Sequence, residues 1–386
     1  MKDLYVLWGG PLSLYTGKVR SYLIKKGIPF REYFAFDPTF QSIIASRIGF
    51  LVVPVVRTPD GEIIQDTSDI IEHLAARFPE PGLKPSTPVQ QTVAALICAF
   101  GSEALLKTAM HYRWSYLGEQ ENFLRAEFGR VVSPSHDAAE RAAAAVPFML
   151  AMQAHLPTMG ISTETIPAIE RSYERLLDIL ETHFQQHPYI LGGRPSDADF
   201  GLMAPLFAHL SRDPVPATLM KNRAPNVFRW TERMNAPGFF DGEFPDVEPS
   251  YVLDDAIPET LEPLLAQIFE DWGPELLANA ERFNAWVAEH PSLKAGDLVS
   301  LHGDRRLHPS VGEIEFMLRG TWIRCASTPH ALWHAEKALQ RARALSGPAK
   351  SRFAALIRRN AGERVMGMTL SRRLERNNYA LTIADQ

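Results

Sequence analysis

Hydrophobic and polar positions fall into three successive patterns along the chain. In the first, short apolar runs of strand length alternate with helical spacing. Residues 4–8 predict a strand. Lys18 to Lys26 predicts a helix with Val19, Tyr22 and Leu23 on one face and Gly27 closing it. Phe30 to Phe36 alternates as a second strand. Residues 53–57 and 62–64 flank Thr58-Pro59-Asp60-Gly61, a turn signal that predicts a hairpin. A helix from about 67 to 77 follows, with Ile70, Ile71 and Leu74 as its apolar positions. Residues 1–80 therefore read as a compact α/β unit. The proline-rich, polar run Glu80 to Pro88 reads as a linker.

The second pattern is helical. Residues 89–117 carry Val93, Leu96, Ile97, Phe100, Ala104 and Leu105. Residues 138–155 are alanine-rich, with a kink expected at Pro147. Ile169, Tyr173, Leu176, Leu177, Leu180 and Phe184 mark a helix over 166–187 that Pro188 stops. Ser196-Asp197-Ala198-Asp199 predicts a capping box opening another. An all-α domain is expected over residues 89–245. The third pattern, residues 246–386, is a mostly helical extension. It has helical spacing over 259–289, a hairpin around Arg319-Gly320, and a helix from Leu332 to Ala344 opened by Thr328-Pro329. Its last 35 residues are rich in arginine (Arg352, Arg358, Arg359, Arg364, Arg372, Arg373, Arg376) and read as a solvated helix face.

Composition narrows the function classes. Among 386 residues, 46% are hydrophobic and 22% charged, which is ample material for a core. A net charge of −5 gives no basic excess for nucleic acid or an anionic membrane surface. No apolar run approaches the ~20 residues that span a bilayer, and the N-terminus reads as strand and loop. A soluble cytoplasmic protein is the expectation. Cys98 and Cys325 make no disulfide framework, and Cys98, in a helical apolar run, reads as a buried thiol. His302 and His308 are six apart in a loop. His330 and His334 are spaced i, i+4 on a helix, but no third ligand is apparent, so no metal is expected.

Two stretches carry candidate chemistry. In Val53-Pro54-Val55-Val56, a proline inside a short apolar β run removes a ladder donor and marks an edge, a bulge or a cis bond. In Gln65-Asp66-Thr67-Ser68, polar groups precede a helix start, where unpaired N–H groups and the positive dipole end favour a carboxylate. One small unit thus presents an open strand backbone beside an anion site.

Together with Ser13-Leu14-Tyr15-Thr16-Gly17-Lys18-Val19-Arg20 and Ser196-Asp197-Ala198-Asp199, these residues resemble the glutathione S-transferase family over about residues 3–240. The resemblance implies a thioredoxin-like N-terminal domain followed by a helical C-terminal domain. It implies glutathione as co-substrate, an electrophilic small molecule as acceptor, and a homodimer. Val53 and Pro54 match the cis-proline position, and Asp66-Thr67 the carboxylate site. Gln65 is a further donor. Ser13 occupies the catalytic serine slot and Tyr15 is the alternative hydroxyl. Leu14 departs from the proline usual after that serine. The loop holds no cysteine, which disfavours mixed-disulfide chemistry. Lys18 and Arg20 read as structural charges. Tyr112, Arg113 and Tyr116, in the helix after the linker, are expected to line the acceptor pocket. Three readings follow: a transferase, a non-catalytic ligand- or partner-binding relative, and a lyase or isomerase using the same thiol.

Overall fold

The computed structural model describes residues 4–48, 52–304, 308–377 and 380–385. Strand β1 (Tyr5–Trp8) is buried at every position because both faces of its sheet are covered. Tyr5 and Leu7 join a core with Val19, Tyr22 and Leu23 of α1 (Leu14–Lys26). Val6 and Trp8 pack with Phe40 of α2 (Pro38–Ile48) on the other face. Helix α1 ends at Gly27, whose φ of 65° lets its N–H cap the last carbonyls. Helix α2 carries no clear apolar period. Asp37 starts it by accepting from Phe40 N–H at 3.1 Å and from the Trp8 indole at 3.2 Å.

Strand β2 (Phe30–Tyr33) lies parallel to β1, β3 (Val55–Arg57) antiparallel on its other side, and β4 (Ile63–Gln65) antiparallel to β3. The sheet order is β2-β1-β3-β4, and α3 (Thr67–Arg77) follows. Register positions the site. Trp8 at the end of β1 pairs with Val55 at the start of β3, and Val55 with Gln65 at the end of β4. The loop after β1, the backbone before β3 and the start of α3 therefore meet at one edge. This unit is thioredoxin-like, and a helical domain follows it.

The expected continuous helix over 89–117 is interrupted. It runs as α4 (Pro88–Ala99), a wide π turn (Phe100–Ala104) and α5 (Leu105–Trp114). The run Pro88–Trp114 is long and apolar enough to cross a membrane by length and composition, yet 72% of its apolar 18-residue window is buried inside the fold. Helices α6 (Leu117–Val132), α7 (Ala138–Gln153, through Pro147) and α8 (Ile166–Phe184) follow. Next come α9 (Asp197–Pro205), opened by the Ser196–Asp199 capping box, α10 (Pro214–Arg223) and α11 (Pro225–Met234).

The extension shares the main apolar core. Leu264 and Leu265 of α12 (Glu262–Gln267), and Leu276 and Phe283 of α13 (Gly273–Glu289), belong to the same buried cluster as Leu176 and Leu177 of α8. The hairpin of β5 (Glu313–Leu318) and β6 (Thr321–Ala326) turns at Arg319 and Gly320, both with positive φ. Helix α14 (Pro329–Ala344) packs on α4, and α15 (Gly347–Arg359) and α16 (Glu363–Met366) follow. A final hairpin, β7 (Leu374–Asn377) with β8 (Ala380–Ile383), is tied to the loop after α13 through Val299 N–H to Leu381 C=O at 2.9 Å.

His183 joins α8 to the extension. Its Nε2–H donates to the Tyr189 carbonyl at 3.2 Å, which leaves Nδ1 to accept from Thr260 Oγ1 at 2.7 Å. Burial, aided by His187, lowers its pKa to about 3, against the opposing Tyr189 carbonyl. A depressed folded-state pKa gives stability that is complete above the unfolded value of about 6.5 and is lost as pH falls toward the folded value. Urea midpoints measured from pH 7 to pH 4 should therefore fall more steeply for the wild type than for His183→Gln. Parallel curves would rule this linkage out.

Candidate functional site

Ser13 is the N-cap of α1. Its Oγ accepts from Thr16 N–H at 3.2 Å and keeps its own proton to donate. Leu14 turns inward, against Ala109 and Ala204. Tyr15 sends its phenol into an enclosed spot where the oxygen has no hydrogen-bond partner among the described residues. Burial and the nearby Glu103 carboxylate push the phenol's pKa well above its usual value, and Asp66 adds to this while Arg376 opposes it. Tyr15 is therefore a protonated, unpartnered donor.

At the neighbouring strand, the Val53–Pro54 bond is cis, and ladder pairing begins only at Val55. Gln65 ends β4. Asp66 caps α3 with φ 82°, a conformation rarely adopted by a side-chain-bearing residue, and its Oδ1 accepts from Ser68 N–H at 2.8 Å. Thr67, the first residue of α3, is buried beside it. Ser13, Tyr15, Val53, Pro54, Gln65, Asp66 and Thr67 thus belong to the one edge that the register assembles.

Residues far along the chain also reach this edge. Arg376 of β7 places Nη1 3.0 Å from Asp66 Oδ2, and the same nitrogen meets His330 Nε2. Burial works to raise the Asp66 pKa, but Arg376, His330 and the Ser68 N–H outweigh it and hold the carboxyl below the usual range. The arginine-rich tail is therefore not one solvated helix face. Arg352, Arg358 and Arg359 belong to α15, but Arg376 is on a strand and its side chain is only 9% exposed.

The expectation that His330 and His334 lack a third partner is also corrected. The π turn after α4 brings Glu103 to both. Glu103 Oε2 is 3.2 Å from His330 Nδ1, and Oε1 is 3.3 Å from His334 Nε2. Burial, with His330, Lys18, Lys337 and Arg376 nearby, lowers the His334 pKa well below its usual value, so the ring is neutral. Lys18 bridges α1 to the same helix pair, donating to Ser102 at 3.3 Å and to Cys98 Sγ at 3.4 Å. Only the i, i+4 spacing of the histidines was available as a sequence signal. Nothing local marks Glu103 or Arg376.

The residues expected to line an acceptor pocket face elsewhere. Tyr112 stacks on Tyr116 and meets Tyr173 of α8 edge-on, while Tyr116 Oη donates to Glu170 at 2.5 Å. Arg113 is engaged internally. Nε and Nη2 hold Asp213 at 2.7 and 3.0 Å, Nη2 also reaches the Ala208 carbonyl, and Nη1 donates to the Leu12 carbonyl at 2.9 Å. Its contribution to the site is indirect, through the loop that carries Ser13.

Comparison with known proteins agrees with this architecture. Residues 7–82 match the model of the glutathione S-transferase N-terminal domain, and residues 163–233 that of the glutathione S-transferase C-terminal domain. Similar solved structures include a glutathione S-transferase from Methylobacterium radiotolerans in complex with glutathione sulfonate (20% identity, 66% of this chain and 99% of that chain, TM-score 0.35). A β-etherase from Sphingobium is similar at 19% identity, over 62% of this chain and 98% of that one, with TM-score 0.39. A tau class glutathione S-transferase from mango is similar at 16% identity, over 68% and 96%, with TM-score 0.39. No curated protein matches significantly. Both glutathione S-transferase domains, N-terminal and C-terminal, are thus matched in order on one chain.

Proposed function

We propose that this protein binds glutathione at the edge formed by Val53, Pro54, Gln65, Asp66 and Thr67 and transfers its thiolate to an electrophilic small molecule. The observation that supports this reading is the buried, protonated Tyr15 phenol, which has no hydrogen-bond partner among the described residues and belongs to the same first turn of α1 that the Ser13 hydroxyl caps. A thiol at neutral pH is mostly protonated, and the thiolate is the nucleophile. Lowering its pKa by about 2 units takes about 2.7 kcal/mol of preferential stabilisation. One hydroxyl donor to the sulfur plus the N-terminal dipole of α1 suffices for that. Val53 offers backbone groups outside the ladder to the central peptide of the tripeptide. Thr67 and the first N–H groups of α3 take the γ-glutamyl carboxylate, and Asp66 takes its ammonium. The match to both glutathione S-transferase domains supports a soluble homodimer in the cytoplasm as part of this reading.

Calorimetric titration with glutathione, followed by assay with an aryl halide, tests it. Binding should be retained in Ser13→Ala and Tyr15→Phe, and the variant lacking the true donor should lose about 10²-fold in kcat/KM, the effect of a lost transition-state hydrogen bond. Absence of glutathione binding by both the wild type and Arg376→Ala rejects the proposal.

The contact between Arg376 and Asp66 favours a second reading, a relative that binds a ligand or partner without turnover, because the guanidinium occupies the carboxylate that an ammonium would use. In that case Arg376→Ala acquires thiol binding that the wild type lacks.

A further inference from the structure

We propose that Glu103, His330 and His334 form a binding site for a divalent metal ion of the zinc class, with three protein ligands and a fourth position open. The site adjoins the proposed thiol-binding edge, since Arg376 meets both Asp66 and His330, but neither binding event requires the other. Two histidines spaced i, i+4 share one face of α14, and the π turn between α4 and α5 brings a carboxylate to both rings. The three ligand atoms lie within 4.8 Å of one another. His330 Nδ1 lies 3.2 Å from Glu103 Oε2 and His334 Nε2 lies 3.3 Å from Oε1. Each ring thus faces its own carboxylate oxygen near the roughly 3.3 Å between ligands held about 2.0–2.1 Å from a tetrahedral ion, and a modest rotation of the carboxylate draws the 4.8 Å spread together on one ion.

The alternative is a carboxylate that merely pairs with two histidines. One atom argues against it. Glu103 Oε1 is buried and makes no hydrogen bond among the described residues, although His334 Nε2 is 3.3 Å away. The two atoms approach at a spacing suited to a shared ion but are misaligned for donation. The three side chains are only 5–7% exposed, so an uncompensated carboxylate here is unfavourable. A two-histidine, one-carboxylate set with an open position suits zinc or another borderline divalent ion, not calcium or magnesium, which take oxygen ligands.

Arg376 opposes the ion. It approaches His330 Nε2, which then accepts, so that Nδ1 carries the proton and faces Glu103. Metal on Nδ1 requires the other tautomer, with the proton on Nε2 and a donor-to-donor conflict with Arg376. Removing the guanidinium should therefore tighten metal binding.

The test uses the full chain, free of any affinity tag and stripped with chelator. Zinc is titrated calorimetrically, and cobalt(II) by its visible ligand-field absorption. One ion should bind per chain, with a cobalt spectrum of four-coordinate nitrogen and oxygen ligation. Glu103→Gln and His334→Gln should each weaken binding at least about 100-fold, and Arg376→Gln should strengthen it by about 10-fold, the scale of outer-shell effects. Absence of stoichiometric binding by the wild type overturns the proposal. So does equal affinity in Glu103→Gln with its cooperative unfolding retained. If the ligand variants fail to fold, the cobalt spectrum of the wild type decides, and an octahedral, water-like spectrum overturns it.

Discussion

Replacing Arg113 with methionine is expected to lower the free energy of unfolding by about 3–5 kcal/mol, the usual consequence of removing one partner from a buried ion pair. Asp213 is fully buried, and its carboxylate would lose both guanidinium contacts. The Leu12 and Ala208 carbonyls would lose their donors as well, and buried acceptors without partners are unfavourable. Burial already drives the Asp213 pKa upward against the attraction of Arg113, so the pair is held in place by packing and geometry more than by net electrostatic gain. The double variant Arg113→Met/Asp213→Leu should consequently lose less than the sum of the single changes. Urea unfolding of the four proteins measures this directly. A loss under about 1 kcal/mol for Arg113→Met, the scale of an exposed pair, would show that the cluster is not structurally important. Since Arg113 also anchors the loop before Ser13, activity at that loop should fall together with stability.

Gly201→Ala is the second large effect. Helix α9 crosses α4 so closely that a Cβ on Gly201 would lie 2.4 Å from Cys98 Cα and 2.7 Å from its carbonyl oxygen. Reciprocally, a Cβ on Gly101 would lie 2.5 Å from the Gly201 carbonyl carbon. These are backbone atoms, which cannot rotate aside as a side chain does. Overpacking typically costs 1–3 kcal/mol, and a clash with backbone on both helices belongs at or above about 3 kcal/mol. Gly118→Ala is the control. Its Cβ meets nothing within 4 Å in α6, so removing a helical glycine should leave stability unchanged or raise it by up to about 1 kcal/mol. Comparable midpoints for Gly201→Ala and Gly118→Ala would refute the close crossing. The crossing also bears on the site, because Gly101 belongs to the π turn that carries Glu103.

Local patterns made much of the first unit legible. Gly27 closes α1, Thr58 to Gly61 turns the hairpin, and α3 spans Thr67 to Arg77 as expected, because each depends on residues within one or two turns of itself. Ser196 and Asp199 form their capping box for the same reason. Helix α2 escaped although Asp37 caps it locally, through Phe40 N–H, because its body carries no clear apolar period to mark it as a helix. The interruption of the helix after the linker escaped because its apolar spacing is uniform and only the crossing with α9 reveals why a glycine stands there. The cluster of Tyr112, Arg113 and Tyr116 was visible as unusual chemistry. Its partners on α8 and at Asp213 were not.

The sequence by itself determined the order of most elements, several of their caps, and the two short stretches where a strand starts after a proline and a helix starts at an aspartate. Those features follow from backbone sterics and hydrogen-bond supply, which act over a few residues. Only the tertiary structure decided that Arg376 faces Asp66, that Glu103 reaches His330 and His334, and that Arg113 is held by Asp213. These groups are brought together by the packing of a shared apolar core across the helical domain and the extension, and side-chain charge carries no local record of the partner that burial will assign to it.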